Sequence, residues 1–425
     1  MQPLAADNPL QRFAMPPLRA AAVLIGFSVP ISVALDNVLL ALLLLGLLFS
    51  ARPVWLIATQ HPVARTAWLL FAVLFLSMFY GATPLREALG ILGKYIDLAF
   101  IPLFMLLLSG ETAKRRAQYA FIAAMGITLL LSYLVGFELL AVKPWMSSFG
   151  QPIPAPQNPV IFHSHLTQSN MMAFAVFLAL LNARDAAAPL VRTAWGLFAL
   201  LAAINVLFVV QGRTGYAILL VLSGWFAWTT LARYAGKHNR QWGWRQATVI
   251  SLVCIGIAVS GYLASARLHD RVILMQTEYQ EWQEGKSDKL SSIGQRLNFY
   301  LNTLQIVRQQ PVKGVGIGGF PAAFAQQTQG KNVMQTVNPH NEYLMITVQT
   351  GVVGLVLLLY LFYTQWRYAP LLDTAFKQDA ARGLVLAYMV NCLFNSSLFD
   401  HADGLFFAFM TSLLFAGLSA EKKIG

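Results

Sequence analysis

Twelve apolar runs, each close to the ~20 residues a helix needs to cross a bilayer, leave this 425-residue chain few folds to choose from. Backbone N–H and C=O groups in lipid find no water to bond, so such runs must cross as helices. They lie near 18–35, 38–58, 63–80, 92–109, 117–140, 166–183, 193–211, 214–233, 246–266, 342–364, 382–399 and 403–420. Composition agrees: 57% of the residues are apolar and 11% charged, where a soluble domain carries about 25% charged residues. Cys254 and Cys392 both sit inside apolar runs, which leaves no disulfide framework and no thiolate metal site. Arg12 and Arg19 precede a first run that continues well past the ~7–15 apolar residues of a secretory signal, so it reads as an uncleaved span. The chain therefore reads as an all-α polytopic membrane protein of about 12 transmembrane helices.

One polar stretch interrupts the pattern and divides the chain. Residues 1–266 hold helices 1–9, residues 267–341 form a helical insert outside the bilayer, and residues 342–425 hold helices 10–12. In the insert, Leu268, Val272, Met275, Tyr279 and Trp282 make one apolar stripe. Ile293, Leu297, Tyr300, Leu304 and Val307 make a second, opened by Ser291-Ser292 and stopped before Pro311, with Arg296 at its edge. A short third helix is predicted from Pro321 to Gln329, closed by Gly330. Asp36-Asn37 reads as the tight turn between the first two spans, and Pro152, Pro154, Pro156 and Pro159 mark a shorter, non-helical outer loop.

Basic residues set the orientation. With the N-terminus in the cytoplasm, eighteen of the 30 Lys and Arg fall in cytoplasmic connections, while Arg86, Lys94, Lys143 and Arg213 alone mark the short outer ones. The other eight belong to the insert, which is too long for the positive-inside rule to count. Both termini are then cytoplasmic and the insert is periplasmic. The net charge of +12 is mostly this sorting signal and needs no nucleic acid. Outer Arg86, Lys94 and Arg213 run against the rule, and a membrane-edge cation marks a candidate functional position.

Several residues then stand out. Asn338 as cap with Pro339 at the first helical position predicts that His340 lies in the first turn of the tenth span. The positive end of the helix there disfavours imidazolium, and a neutral imidazole suits a general base near pH 7. Arg213 sits between Gly212 and Gly215 in a tight outer turn, where its planar fork of donors suits phosphate oxygens. Arg296 and Arg86 extend a cationic cradle, although Arg86 adjoins Glu87, an ordinary surface pair. Lys94 and Asp97 are spaced for an intramembrane pair, which leaves Lys94 either structural or a donor to substrate phosphate. Asp400, His401 and Asp403 are a weak metal signal better read as polar turn chemistry; His163 and His165 stay open, and Asn170 would bond a sugar or a neighbouring helix. Gly314-Val315-Gly316-Ile317-Gly318-Gly319 matches GxGxxG but follows a helix and a proline, not a strand, so no dinucleotide site is expected; its glycines let the loop bend back toward the membrane.

One outer histidine with several outer arginines suits transfer from a lipid-diphosphate-linked sugar, because the leaving group needs charge neutralised and the acceptor hydroxyl needs a base. Gln211-Gly212-Arg213-Thr214-Gly215 between two spans, Arg296 in the long insert, and Pro339-His340-Asn341-Glu342 at its end resemble the bacterial O-antigen ligase family. The resemblance covers about Pro159 to Ser397, with Gly212 where the family often has serine. It implies a GT-C-like glycosyltransferase of the inner membrane that needs no cofactor and no metal. Such an enzyme moves O-antigen from undecaprenyl diphosphate to a sugar of the lipid A-core on the periplasmic side. His340 would be the essential histidine, and Arg213 and Arg296 the essential arginines, with Arg86 and Lys94 added from sidedness. An O-antigen polymerase or a protein O-oligosaccharyltransferase would share these features. A secondary transporter would instead gather charge at the midplane of broken helices in two related halves.

Overall fold

The computed structural model describes residues 9–147, 153–210, 212–237, 266–283 and 292–418, with single positions 243, 245, 246, 248 and 256. Over these residues the chain is helical, and two isolated bridges are its only β pairing. The first six helices are α1 Pro9–Ser28, α2 Val33–Gln60, α3 Pro62–Ser77, α4 Leu85–Gly93, α5 Asp97–Leu107 and α6 Glu111–Gly136. A loop leads to α7 His165–Asp185, α8 Pro189–Ile204 and α9 Arg213–Lys237. The insert contributes α10 Ala266–Gln283, α11 Ser292–Gln309 and α12 Phe320–Gln327, and the chain closes with α13 Glu342–Tyr368, α14 Ala375–Phe394 and α15 His401–Phe415.

Among the described residues six helices are long and apolar enough to cross a membrane, and α4 with α5 makes a seventh if their 41° bend lies within one span. Shorter apolar stretches come from α1, α3 and α15. The expected run at 246–266 lies outside the described residues except for positions 246, 248 and 256 and the start of α10. These helices suit a polytopic membrane protein.

Burial separates two kinds of apolar helix. On α2, Leu44, Leu45 and Leu48 face outward, as lipid-facing leucines do, while Leu39, Leu40 and Leu43 pack inward. By contrast, every residue of α15 from Ala402 to Phe415 is buried. A helix apolar all round belongs in a core, and Phe406 meets Phe121, Phe174 and Tyr388 there. Only fifteen residues long, α15 is the hub against which α5, α6, α7 and α14 are set.

Two local features position the insert. At Gly351, φ is 67° and ψ −162°, which breaks α13; that backbone region is open essentially to glycine alone. The break exposes carbonyl groups, and the glycine-rich loop fills them: Val315 N–H donates to Val348 O at 2.8 Å and Gly316 N–H to Gln349 O at 3.0 Å. Across the break, Val352 N–H reaches Pro311 O at 2.8 Å. The left-handed glycines Gly314, Gly316 and Gly318 let this loop lie flat on α13 and on the end of α3, where Ile317 N–H bonds Ser77 Oγ. The GxGxxG resemblance is thus a helix-splinting loop.

The first turn differs from expectation. Asp36 is not in a turn but buried in the first turn of α2, where Ser28 Oγ donates to it at 2.5 Å. The chain reverses at 29–32 because Ser32 caps α2, accepting from Leu35 N–H, and Pro30 closes α1. In the insert, α12 falls where a third helix was expected, and Gly330 follows with φ +73°.

Candidate active site

His340 is not in a helix. The cap of α13 is Asn341, whose Oδ1 accepts from Leu344 N–H at 2.9 Å, and helical geometry starts at Glu342. Asn338 instead forms a turn of its own: its Oδ1 accepts from His340 N–H at 2.6 Å. An asparagine that bonds the amide two residues on mimics a helix cap, which is why the sequence misplaces the boundary. His340 therefore holds a left-handed φ of +53° just outside the helix. Such strain in a non-glycine residue costs about 1–3 kcal/mol and persists only where surrounding contacts enforce it. Those contacts are visible. Tyr300 Oη donates to His340 O at 3.2 Å and Leu393 O at 3.1 Å, and the Phe299 ring stacks on the imidazole at 6.0 Å.

The imidazole is half-buried, and neither ring nitrogen has a hydrogen-bond partner among the described residues. Burial lowers its pKa below the ordinary 6.5, and the positive charge of Arg296 lowers it further. Neutrality thus comes from burial and a neighbouring guanidinium, not from a helix end as the sequence suggested.

Arg296 reaches this spot because α11 is rotated from its expected face. Phe299, Thr303 and Ile306 are buried, while Leu301 and Leu304 are exposed. Arg296 shares the i, i+3, i+7, i+10 row with these buried residues, so it faces the interior and not the edge of a stripe. Thr303 hides the signal: its hydroxyl is satisfied by Phe299 O at 2.6 Å, so a polar residue occupies an inner position. Arg296 has no carboxylate partner among the described residues.

A turn at 395–400 joins these parts to the rest of the bundle. Glu342, fully buried, accepts from Leu398 N–H at 2.8 Å, Phe399 N–H at 3.3 Å and Tyr95 Oη at 3.1 Å. Asn341 Nδ2 donates to Leu393 O and Ser396 Oγ to Asn338 Oδ1. Sequence reasoning passed over Glu342 and Tyr300; an acid directly after an Asn cap, in an otherwise apolar run, was the available signal. Lys94 lies over the Phe399 ring, 4.0 Å from its centre. It does not pair with Asp97, because α4 ends at Gly93 and α5 starts at Asp97, so helical i, i+3 registry is lost. Asp97 Oδ2 is instead 3.8 Å from His401 Nδ1. Arg86 is exposed at the second residue of α4, and no ion pair joins it to Glu87 among the described residues.

Arg213 belongs to a second group, centred on α7. It is the first residue of α9 and is half-buried. Before it, the chain widens into a π-helical turn at Asn205–Val209, with Val210 N–H on Asn205 O; such turns are frequent at functional sites. A side chain at Gly212 or Gly215 would strike Ser169 of α7, so both glycines serve close approach of α9 to α7. One residue on, Asn170 Nδ2 donates to Asp403 Oδ1 at 2.7 Å, and Thr167 Oγ1 to Asp403 Oδ2 at 3.3 Å. Asn170 therefore bonds a neighbouring helix. Asp400 caps α15 by accepting from Ala402 and Asp403 N–H. Among the described residues no group of three His, Cys, Asp or Glu is arranged to hold a metal.

The structure thus brings His340 and Arg296 together, sets Lys94 on the turn that Glu342 holds, and places Arg213 apart from them at the start of α9, where α9 packs on α7; Arg86 stays at the surface. In comparison with known families, residues 197–359 match the family model described as O-antigen ligase, a segment that contains Arg213, Arg296 and His340. A comparison with curated proteins found no match.

Proposed function

Through residues 197–359 this chain belongs to the O-antigen ligase family, and from that premise we propose that it moves O-antigen polysaccharide from undecaprenyl diphosphate to a sugar hydroxyl of lipid A-core. In this reading the protein is a GT-C-like enzyme of the bacterial inner membrane. Its twelve spans leave both termini in the cytoplasm and the His340 end of the bundle in the periplasm. The acceptor oxygen attacks the anomeric carbon of the donor sugar and its proton passes to a ring nitrogen of His340. The bond from that carbon to the diphosphate oxygen breaks, and the electron pair leaves with the diphosphate. Arg213 and Arg296 bind that anion, and Lys94 and Arg86 extend the positive field toward the membrane edge. No metal is needed in this scheme, since guanidinium groups neutralise the leaving group.

One observation carries the proposal. Among the described residues Arg296 is half-buried without a carboxylate, beside an imidazole whose pKa is lowered and whose nitrogens have no hydrogen-bond partner. An unpaired guanidinium held there suits an arriving anion, and a neutral imidazole suits an arriving hydroxyl.

The test is His340→Ala in a host lacking its own ligase. General-base removal lowers rates by about 10²–10⁴-fold. The expected outcome is lipid A-core without attached O-antigen, together with accumulation of undecaprenyl-linked O-antigen. Normally capped lipopolysaccharide would remove the base assignment. Arg213→Lys keeps the charge and loses the fork; a large defect is expected, and full activity would make Arg213 an orienting residue only.

A further inference from the structure

A cavity opens at the same end of the bundle, walled by residues other than those just assigned. Its volume is about 1040 Å³, at the top of the range of about 300–1,000 Å³ usual for small-molecule sites. It lies where α1 gives way to α2, beside α6, residues 145, 147 and 162–164, the start of α7 and the start of α15. Neither His340 nor any of the arginines assigned above lines it.

Its chemistry is the reverse of the His340 site. Among the described residues no Lys or Arg lines it, and Asp400 does. An anionic group such as a diphosphate would meet repulsion there. What the walls offer is neutral hydrogen bonding and aromatic surface. Asn37, Ser164 and His163 supply the first; Trp145, 59% exposed, and Phe162 supply the second, with their rings 6.5 Å apart. His163 Nε2 donates to Val29 O at 2.8 Å, which fixes Nδ1 as an acceptor. Asp400 accepts both of its cap bonds on Oδ1, and no bond to Oδ2 is made among the described residues.

Backbone strain marks the same wall. Phe162 has φ +70°, a conformation rare for a bulky side chain and concentrated at ligand sites. It is pinned by Phe162 N–H donating to Met146 O at 2.6 Å. That bond ties the strand of loop that carries His163 to the one that carries Trp145.

We propose that this cavity is a carbohydrate subsite for uncharged sugar residues, with Trp145 as the stacking face and Asn37, Ser164, His163 and Asp400 as partners for hydroxyl groups. The assignment rests on the proposed transfer reaction, in which uncharged sugars arrive on both substrates. Two sources share that chemistry: the glycan chain of the donor and the core sugars of the acceptor. One subsite without Lys or Arg among the described residues and one cationic subsite would let a single protein hold sugar and diphosphate apart.

The test uses the full chain in lipid nanodiscs and reads equilibrium binding of two lipid-free probes. One is O-glycan released from its lipid diphosphate, and the other is dephosphorylated core oligosaccharide. At least one probe binds the wild type, Trp145→Ala weakens it fivefold or more, Asn37→Ala weakens it less, and Lys377→Met at the other end of the bundle leaves it unchanged. Weakening confined to the O-glycan assigns the cavity to the donor, and weakening confined to the core assigns it to the acceptor. Binding of neither probe, or equal binding in wild type and Trp145→Ala, overturns the proposal. Both substituted positions are exposed, so the variants keep the fold. If the wild type transfers O-antigen but neither variant changes glycan binding, the subsite fails and the transfer reaction stands. If the variants lose glycan binding but the wild type transfers nothing, the reverse holds.

Discussion

The two ends of the bundle treat their buried charges in opposite ways. At the end away from His340, basic groups share carboxylates. Arg184 and Arg233 each approach Asp379 Oδ2 at 2.8 Å, and Lys114 and Lys377 meet Glu111 at 2.9 and 2.8 Å. At the His340 end three acids are committed to groups other than Lys or Arg. Glu342 holds two backbone N–H groups and Tyr95, Asp403 holds Asn170 and Thr167, and Asp400 caps a helix. Arg296 is left without an acid among the described residues, and Lys94 rests on an aromatic face. Charge at one end is closed into pairs, as structural ion pairs are. At the other it stays open, which is what a site for an anionic substrate needs.

That contrast can be broken by substitution, and the largest effect belongs to the open end. Arg296→Gln should lower transfer by about 10²–10³-fold, the loss typical of one electrostatic stabiliser, while the melting temperature moves little. A purified-enzyme transfer assay beside a thermal melt checks this; a large melt shift with little rate loss would make Arg296 structural.

At the closed end the balance should invert. Asp379→Asn takes the carboxylate from Arg233 and leaves Arg184 with Asp185 alone, and breaking a mostly buried pair costs about 3–5 kcal/mol. Denaturation in mild detergent should show that loss, with transfer by the surviving folded protein near wild type.

A smaller effect concerns pH. Folding lowers the His340 pKa from 6.5, so between the folded value and 6.5 the unfolded chain binds more protons than the folded one. The residue's contribution to stability is complete above 6.5 and is lost as pH falls through the folded value. The neutral imidazole persists over the same window, so if His340 is the proposed base the acid limb of the rate profile should lie below 6.5. Removing the Arg296 charge should move that limb upward, short of 6.5 because burial is the larger cause. Titration of the isotope-labelled ring in wild type and Arg296→Gln reads it directly, and identical curves would deny the coupling.

The smallest effect is at the rim of the closed end. Glu111 is 67% exposed, and an ion pair there contributes about 0–1 kcal/mol. Lys377→Met should change stability by no more than that and leave transfer untouched.

Much of the helical order was legible because apolar runs of spanning length admit little else. Helix boundaries were less so, and the reason is physical. Asn338 and Asn341 are both good caps, and only the fold decides that the first bonds His340 and the second opens α13. The face of α11 was misread because Thr303 satisfies its hydroxyl on its own helix and so tolerates burial. The break between α4 and α5 falls on Lys94-Tyr95-Ile96, inside a run of spanning length, and it unmade the expected Lys94–Asp97 pair. Of the site, the meeting of Arg296 and His340 was implied by motif order alone. The roles of Tyr300, Phe299 and Glu342 depend on long-range contacts that no spacing encodes.

The central claim is that the open end keeps a guanidinium unpaired for the donor's diphosphate. Its most direct measurement is binding of undecaprenyl diphosphate, without glycan, to the full chain in nanodiscs made of uncharged lipid. Arg296→Gln should weaken binding at least tenfold and flatten its salt dependence, while Arg233→Gln at the closed end should leave both unchanged. Equal loss from the two substitutions, or none from Arg296→Gln, would contradict the account.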